Sequence, residues 1–242
     1  MNKIICLWSC PRNISTALMY SFAQREDTSV FDEPLYAHYL RVSGAKHPAR
    51  EEVLSSLDND GNKVVQRVIL QKSNKILFHK LMTHFLIDID TEFLSEVINI
   101  IFIRDPKEII ASYSKVIPNP RMEDIGVKKQ YELYLDLKKR GEDPIILDSK
   151  HLLQYPELIL RRICVLLGIP FDKKMLKWKK GVRVEDGIWA SYWYENIHNS
   201  TGFFPYTTQK IILTKNNAAL AKECLPYYEF LTAKSINYDT RV

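Results

Sequence analysis

Glycine is scarce in this 242-residue chain, and none lies near its beginning. Only eight glycines are present, and the first stands at position 44. A glycine-rich dinucleotide loop and a Walker loop both need glycines where the backbone approaches phosphate, so neither lies before that position. Gly-Lys-Ser/Thr, which supplies the Mg²⁺ and phosphate ligands of a Walker loop, is also absent. Any phosphate site near the start must be built from other groups.

Cysteines and long apolar runs are few as well. The four cysteines form no CxxC pair and sit mostly in apolar segments, which favours reduced thiols in a cytosolic protein and leaves no readable zinc or other metal site. The first apolar run stops at Trp8, too short for the core of a signal peptide. Because no uncharged run is long enough to cross a bilayer, we expect a soluble, cytoplasmic protein that does not bind membranes.

The composition fits a folded domain with a mild preference for anions. Hydrophobic residues make up 46% and charged residues 26% of the chain, and 34 Lys+Arg against 29 Asp+Glu give a net charge of +5. That excess suits an anionic ligand but is too small to indicate nucleic-acid binding. Without repeats or linkers, residues 1–242 are expected to form one domain, whose last ~35 residues are a candidate for an appended helical segment.

Short apolar runs alternate with longer helical patterns along the chain. This alternation predicts an α/β fold of three layers, with a mainly parallel sheet and helices on both faces. The predicted strands are residues 4–8, 76–78, 98–103 and 145–147. The predicted helices are residues 15–24, 51–57, 64–72, 106–114, 156–167 and 214–223.

A short polar loop joins the first predicted strand to the first predicted helix. Such a loop points free backbone N–H groups and the positive end of a helix dipole at one place, which suits an anion. Arg12 adds a forked cation, and Ser15 and Thr16 add hydroxyl donors. These residues predict a phosphate or sulfate cradle. The alternative is that Ser15 or Thr16 only caps the helix while Arg12 is solvated.

A second anion signal follows the third predicted strand. Arg104 ends that strand, at the edge where open α/β sheets bind ligands. Ser112 stands seven residues after the helix cap Asp105, about two turns, so it faces the same side as the helix entry. Arg104 and Ser112 are therefore predicted to hold a second anion together. The alternative is a capping arginine and a serine bonded to its own helix.

The segments SCPRNISTAL (9–18) and FIRDPKEIIAS (102–112) resemble the corresponding motifs of the sulfotransferases. In that family the first motif holds the 5′-phosphosulfate of 3′-phosphoadenosine 5′-phosphosulfate (PAPS), and the second holds the 3′-phosphate. The resemblance implies a P-loop-like fold and PAPS as co-substrate, with no metal. It also implies the nucleotide-binding residues, which are Pro11, Arg12, Asn13, Ser15, Thr16, Arg104, Ser112 and, in a later segment, Gly202.

The similarity extends over residues 3–205. Segments 147–156 and 166–171 resemble further family motifs, while 186–190 and 200–203 are closer to a bacterial branch. Arg12 takes the place of the lysine that the cytosolic animal enzymes carry in their first loop. The resemblance implies sulfuryl transfer to a hydroxyl or amine, and we expect a small-molecule acceptor. An inactive protein that binds a nucleotide or phosphometabolite is the alternative.

Candidate catalytic residues are Arg12 and Glu33. A glutamate at the place of Glu33 is the proposed base in some branches of the family, and Asp32 is the rival carboxylate. The alternative is that Asp32, Glu33 and the next residue, a proline, form an ordinary turn. Secondary candidates for contact with the leaving group, the acceptor or the site wall are Lys80, His84, Trp189, Trp193 and His198.

Two further patterns allow other interpretations. Cys6 and Arg12 have the Cys-x5-Arg spacing of cysteine phosphatases, which makes such an enzyme the third hypothesis and requires an accessible Cys6. The cation-rich segment 173–183 predicts a solvated helix face, with Lys180 or Arg183 attracting nucleotide as the alternative. Trp178 alone adds too little aromatic surface for single-stranded nucleic acid.

Overall fold

The computed structural model describes residues 3–208 and 210–237, and at its centre lies a parallel β-sheet. Its five strands have the order β2-β3-β1-β4-β5, and every neighbouring pair is parallel. They are β1 (Ile4–Ser9), β2 (Thr28–Asp32), β3 (Ile76–Met82), β4 (Ile98–Ile103) and β5 (Ile145–Asp148). The parallel arrangement brings the carboxyl ends of all five strands to one edge, and the predicted α/β fold is confirmed.

Twelve α-helices connect and cover the strands in the described ranges. They are α1 (Ser15–Phe22), α2 (Tyr36–Ser43), α3 (Arg50–Ser56), α4 (Gly61–Val64), α5 (Pro106–Tyr113), α6 (Met122–Ile125), α7 (Val127–Lys139), α8 (Ser149–Gln154), α9 (Pro156–Leu166), α10 (Ala190–Trp193), α11 (Glu195–His198) and α12 (Lys215–Thr232). A π-helical turn follows α4 at Val65–Ile69, and 3₁₀ turns lie at Thr83–Phe85, Glu92–Glu96 and Lys173–Leu176.

Two hydrophobic clusters cover the two faces of the sheet. Alternate side chains of β1 point to opposite faces, so Cys6 and Trp8 enter one cluster while Ile5 and Leu7 enter the other. Residues of α2 and α7 pack on the first face, and residues of α1 and α9 pack on the second. The central strands are therefore buried on both sides, as a parallel sheet requires.

Capping residues in the sequence correctly predicted where two helices begin. The Asp105 side chain accepts a hydrogen bond from the backbone N–H of Lys107 at 2.8 Å, and Pro106 occupies the first turn of α5. Thr214 caps α12 by accepting from the N–H of Asn217 at 3.3 Å. This helix passes the predicted end and continues through Pro226, packing against α5, α7 and β5.

Other predictions of local structure were incomplete or wrong. β2 and α7 were not predicted, although α7 buries Val127, Gln130, Leu133 and Leu137 at helical spacing. The predicted helix over 173–183 is wrong, because only the 3₁₀ turn Lys173–Leu176 is helical there, although the lysines themselves are exposed. Across the described residues, every helix lacks the length or the apolar content needed to span a membrane.

Candidate active site

A cavity of about 510 Å³ opens at the carboxyl edge of the sheet. Its wall brings together segments that lie far apart in the sequence: the loop after β1, the turn after β2, the end of β3, Arg104 directly after β4, and the last turn of α5. Every residue predicted to bind nucleotide or to act in catalysis lines it: Pro11, Arg12, Asn13, Ser15, Thr16, Glu33, Arg104, Ser112 and Gly202. The geometry therefore unites both predicted anion motifs with the predicted base.

Arg12 links the first loop to the second motif. Its backbone has the left-handed φ of 57°, which is uncommon for a residue with a side chain. Its Nε donates to Oγ of Ser112 at 3.0 Å, and Nη1 donates to the carbonyl oxygen of Trp193 at 3.3 Å. The guanidinium is thus fixed against α5 instead of solvated, so the solvated alternative for Arg12 is wrong.

Arg104 lies beside Arg12 and is held in a similar way. Its Nη1 donates to the carbonyl oxygen of Arg12 at 2.6 Å, and Nε pairs with Oε2 of Glu108 at 2.8 Å. Burial and the nearby charge of Arg104 both lower the pKa of Arg12. Two guanidinium groups forced together in a partly buried cavity form a site that an anion would relieve electrostatically.

Asn13 and the start of α1 complete the loop. The Asn13 amide donates to the carbonyl oxygen of Phe102 at 2.7 Å, and its Oδ1 accepts from the N–H of Ile14 at 2.9 Å. Its side chain thus ties the loop to β4. No side chain caps α1 at its N-cap residue Ile14, so the capping alternative for Ser15 or Thr16 is wrong. Among the residues that the structure describes, no side chain caps the first N–H groups of α1, and Ser15, Thr16 and Ala17 of this turn line the cavity.

Glu33, which also lines the cavity, lies next to a buried cation. Lys80 Nζ lies 2.5 Å from Oε1 of Glu33, 2.7 Å from Oδ1 of Asp32 and 2.6 Å from the hydroxyl of Tyr194. Glu33 has a left-handed φ of 47°, and its carbonyl oxygen accepts from the N–H of Tyr36 at 2.9 Å. The predicted turn is present, and it directs Glu33 into the cavity.

The two neighbouring carboxylates have different surroundings. Asp32 is not in the cavity wall; its side chain is 1% exposed and accepts hydrogen bonds from Lys80, from Tyr194 and from the N–H of Gly187. Glu33 lines the cavity, and burial, reinforced by Asp32 and opposed by Lys80, raises its pKa to about 7. Of the two carboxyl groups, Glu33 is therefore the one that faces the cavity, and its raised pKa lies near neutral pH.

The secondary candidates divide into two groups. Lys80, His84, Trp189 and Trp193 line the cavity, and burial lowers the pKa of His84 to about 3, so its ring is neutral. His198 lies outside the wall, where its Nε2 is 2.9 Å from Oδ2 of Asp186.

The two cations considered as alternative nucleotide contacts also lie outside the cavity wall. Lys180 and Arg183 are not in the cavity wall, and the guanidinium of Arg183 stacks 4.8 Å from the centre of the Tyr20 ring. Cys6 is completely buried within β1, and this burial raises its thiol pKa. A buried, protonated thiol cannot serve as a nucleophile, so the cysteine phosphatase hypothesis is wrong.

Sequence reasoning missed several aromatic and polar residues of the site. Tyr36, Tyr113, Lys115 and Tyr194 also line the cavity. Tyr194 lies in an aromatic-rich segment, where its polar role has no spacing signal of its own. Its strong coupling to Lys80 follows only from the folded arrangement.

A second, more open cavity of about 590 Å³ adjoins the first. The two share Gly202, Phe203 and Phe204. A side chain at Gly202 would bring its Cβ within 3.0 Å of the Leu176 carbonyl oxygen, because the backbone pairs closely with that of Lys177. Gly202 thus permits close packing of two segments at the junction of the cavities.

Fold and site define an α/β protein with a cavity at the carboxyl edge of its sheet that is lined by Arg12 and Arg104. The family model described as "Sulfotransferase domain" matches residues 2–235, and the chain belongs to this family. The resemblance found in the sequence is therefore confirmed at the level of the family.

Curated relatives come from Arabidopsis thaliana. The chain is 39% identical over 233 residues to "Branched-chain-amino-acid aminotransferase-like protein 2" and 40% identical over 233 residues to "Branched-chain-amino-acid aminotransferase-like protein 1". Each match covers 95% of this chain but 41% of the relative. The chain thus spans about two fifths of the length of these proteins.

Solved structures support the fold. The "Sulfotransferase Domain from the Curacin Biosynthetic Pathway" has a TM-score of 0.56 and 16% identity, covering 92% of this chain and 97% of the other. The sulfotransferase from Alicyclobacillus acidocaldarius has a TM-score of 0.57 and 11% identity, covering 98% of both chains. At these identities the similarity is one of architecture.

Proposed function

We propose that this chain transfers a sulfuryl group from PAPS to the hydroxyl or amine of a small-molecule acceptor. The observation that carries the proposal is the Arg12–Ser112 hydrogen bond, which unites two anion motifs in one cavity opposite Glu33. Membership of the sulfotransferase family supports the same chemistry.

The residues of the cavity suit a ligand with two anionic groups, because cations and hydroxyls come from both motifs. Arg12, Ser15, Thr16 and the free N–H groups of α1 would hold the 5′-phosphosulfate end. Arg104 and Ser112 would hold the 3′-phosphate, with Pro11, Asn13 and Gly202 shaping the backbone around the nucleotide. The close pair of guanidinium groups fits such a ligand, because each anionic group would offset a cation that is now beside a like charge.

Each proposed role depends on the chemistry of one side chain. When bound, PAPS supplies a sulfuryl group already attached to a phosphate leaving group. Arg12 holds charge at this end by a fixed fork and keeps its own proton. Glu33 would accept the proton of the acceptor's hydroxyl or amine as that acceptor atom bonds to sulfur and the bond from sulfur to the 5′-phosphate oxygen breaks, releasing 3′-phosphoadenosine 5′-phosphate; Lys80 holds the Glu33 carboxyl in place.

A second candidate function is nucleotide or phosphometabolite binding without transfer. The observation that favours it is the pairing of Glu33 with Lys80, since the ammonium occupies Oε1 of Glu33 and lowers the pKa that burial raises. Both candidates predict that the cavity binds an anionic ligand. They differ in whether a sulfuryl group is transferred to an acceptor.

Turnover separates the two candidates. The full chain is incubated with PAPS and pools of hydroxyl- and amine-bearing small molecules, with a water-only control. Released 3′-phosphoadenosine 5′-phosphate (PAP) and sulfated products are measured by mass spectrometry. We expect acceptor-dependent release of both, slowed about 10²- to 10⁴-fold by Glu33→Gln. The control variant Glu123→Gln changes an exposed carboxylate outside the cavity and should leave turnover unchanged.

Binding without turnover would favour the second candidate. Tight PAP binding, with PAP release that stays at the water-only level in every pool and is the same in Glu33→Gln, favours the protein that binds without transfer.

A further inference from the structure

One buried ammonium serves two carboxylates beneath the cavity wall. Lys80 Nζ lies within 2.7 Å of oxygens from both Asp32 and Glu33, and the side chains of Lys80 and Asp32 are each 1% exposed. Removal from water makes each carboxylate depend strongly on its remaining partners. How strongly Lys80 interacts with each carboxylate therefore affects the pKa of that carboxylate.

The hydroxyl of Tyr194 lies where it can affect how Lys80 interacts with Asp32 and with Glu33. It accepts from Lys80 Nζ at 2.6 Å and from Nε1 of Trp189 at 3.2 Å, and it donates to Asp32, whose Oδ2 lies 2.8 Å away. The N–H of Gly187 gives Asp32 a further donor at 3.1 Å. Asp32 therefore has three donors. Within the described part of the chain, Lys80 alone donates to the Glu33 carboxylate.

We propose that Tyr194 is a positioning residue that satisfies Asp32 and thereby leaves the Lys80 ammonium to hold Glu33 at the cavity wall. The meaning of this arrangement for proton transfer depends on the proposed function. The arrangement itself is a property of the free protein. Tyr194 thus acts on Glu33 through Asp32 and Lys80 and needs no contact with the acceptor.

The groups facing Glu33 come from several elements. Lys80 from β3 lowers its pKa, Asp32 from β2 and burial raise it, and the ring hydroxyls of Tyr36 and Tyr194 face the same carboxyl. Arg12 lies across the cavity. If the Tyr194 hydroxyl is removed, Asp32 draws more on Lys80, and Glu33 loses part of the cation that favours its charged form.

Carboxyl titration in the ligand-free full chain tests the proposal. The protein is labelled with ¹³C at the glutamate side-chain carboxyls, and the Glu33 signal is identified by its loss in Glu33→Gln. We expect the midpoint of Glu33 to rise by about half a pH unit or more in Tyr194→Phe, as expected when a charge-assisted hydrogen bond is lost from the network. Tyr228→Phe is the matched control, because it removes a tyrosine hydroxyl that donates to Asp148 at 2.7 Å, away from this cavity.

Asp32→Asn provides a second arm. Here Lys80 is left to Glu33, so the midpoint falls, and adding Tyr194→Phe to Asp32→Asn produces little further change because the route through Asp32 is gone. An unchanged midpoint in folded Tyr194→Phe, or an equal shift in Tyr228→Phe, overturns the proposal. If Tyr194→Phe does not fold, an unchanged or raised midpoint in Asp32→Asn overturns the sharing of Lys80. Since no nucleotide is present, the titration stands or fails separately from turnover.

Discussion

The guanidinium of Arg12 donates from Nε to Oγ of Ser112 at 3.0 Å, across 100 residues of sequence. This bond joins the loop after β1 to the helix after β4. Neither residue alone distinguishes an anion site from ordinary capping. Together they place a cation and a hydroxyl at one edge of the sheet, where Arg104 also contacts the Arg12 carbonyl. The two motifs therefore form a single site.

Ser112→Ala is expected to weaken PAP binding. The change removes the acceptor of Arg12 Nε and a proposed donor to the 3′-phosphate, and hydrogen bonds to charged groups contribute roughly 1.5–3 kcal/mol, so the dissociation constant should rise about tenfold or more. Fluorescence or calorimetric titration measures this. Ser114→Ala, two residues on and outside the cavity wall, is the control. Equal, small effects of both changes would remove Ser112 from the site.

Turnover is expected to increase with pH through about 7. Burial raises the pKa of Glu33 to about 7, and only its deprotonated form accepts a proton. Below that pH the carboxyl is protonated, so kcat/KM falls on the acid side. The profile of kcat/KM for the acceptor is measured at acceptor concentrations well below KM, with saturating PAPS and at constant ionic strength. Glu33→Gln should lower kcat/KM and abolish this acid limb; an acid limb that survives the substitution assigns it to another group.

Lys80→Met is expected to destabilise the fold most at high pH. Without the ammonium, Asp32 and Glu33 are neighbouring buried carboxylates, and breaking a buried ion pair costs about 3–5 kcal/mol in the free energy of unfolding. The loss should be large near pH 8 and smaller near pH 5, because acid protonates the carboxyls whose folded-state pKa values the substitution raises.

Urea unfolding at both pH values measures this difference. Lys63→Met is the control, since its ion pair with Asp60 is exposed to solvent and contributes little to stability. A loss for Lys80→Met that is equally small at both pH values would contradict the buried cluster.

The thiols are expected to be inert in the folded protein. All four cysteines are buried, and burial raises the pKa of Cys6. Iodoacetamide should label Cys6 only after denaturation, as judged by mass spectrometry of the digested protein, and aryl phosphate hydrolysis should be absent. Rapid native labelling of Cys6 would restore the phosphatase hypothesis.

The strands that end at the site could be predicted because their apolar runs are continuous and bounded by polar loops. β2 could not, since Thr28–Asp32 carries polar residues and lies at the edge of the sheet, where burial is only partial. The segment 173–183 has helix-compatible cations, yet burial of Met175 and Trp178 decides its path instead. Tertiary packing overrides propensity at these positions.

The residues of the site also divide into those that the sequence predicted and those that only the fold revealed. Arg12 and Arg104 follow the carboxyl ends of two strands, so their convergence followed from a parallel sheet, and Ser112 was placed two helical turns beyond the Asp105 cap. Asn13 could be placed in the loop, but its bond to the Phe102 carbonyl is a tertiary contact. Tyr194 and the sharing of Lys80 required the fold, because hydrogen-bond geometry among residues so distant in sequence leaves no periodic pattern.

Recognition of the 3′-phosphate by Arg104 and Ser112 can be measured by calorimetric titration of the unmodified chain. PAP and adenosine 5′-phosphate are titrated separately. The two ligands differ only in the group assigned to Arg104 and Ser112. We predict that PAP binds at least about tenfold more tightly, since a phosphate held by a guanidinium forms charge-assisted hydrogen bonds. Equal affinity for the two nucleotides, or no binding of PAP, would contradict recognition of the 3′-phosphate by Arg104 and Ser112.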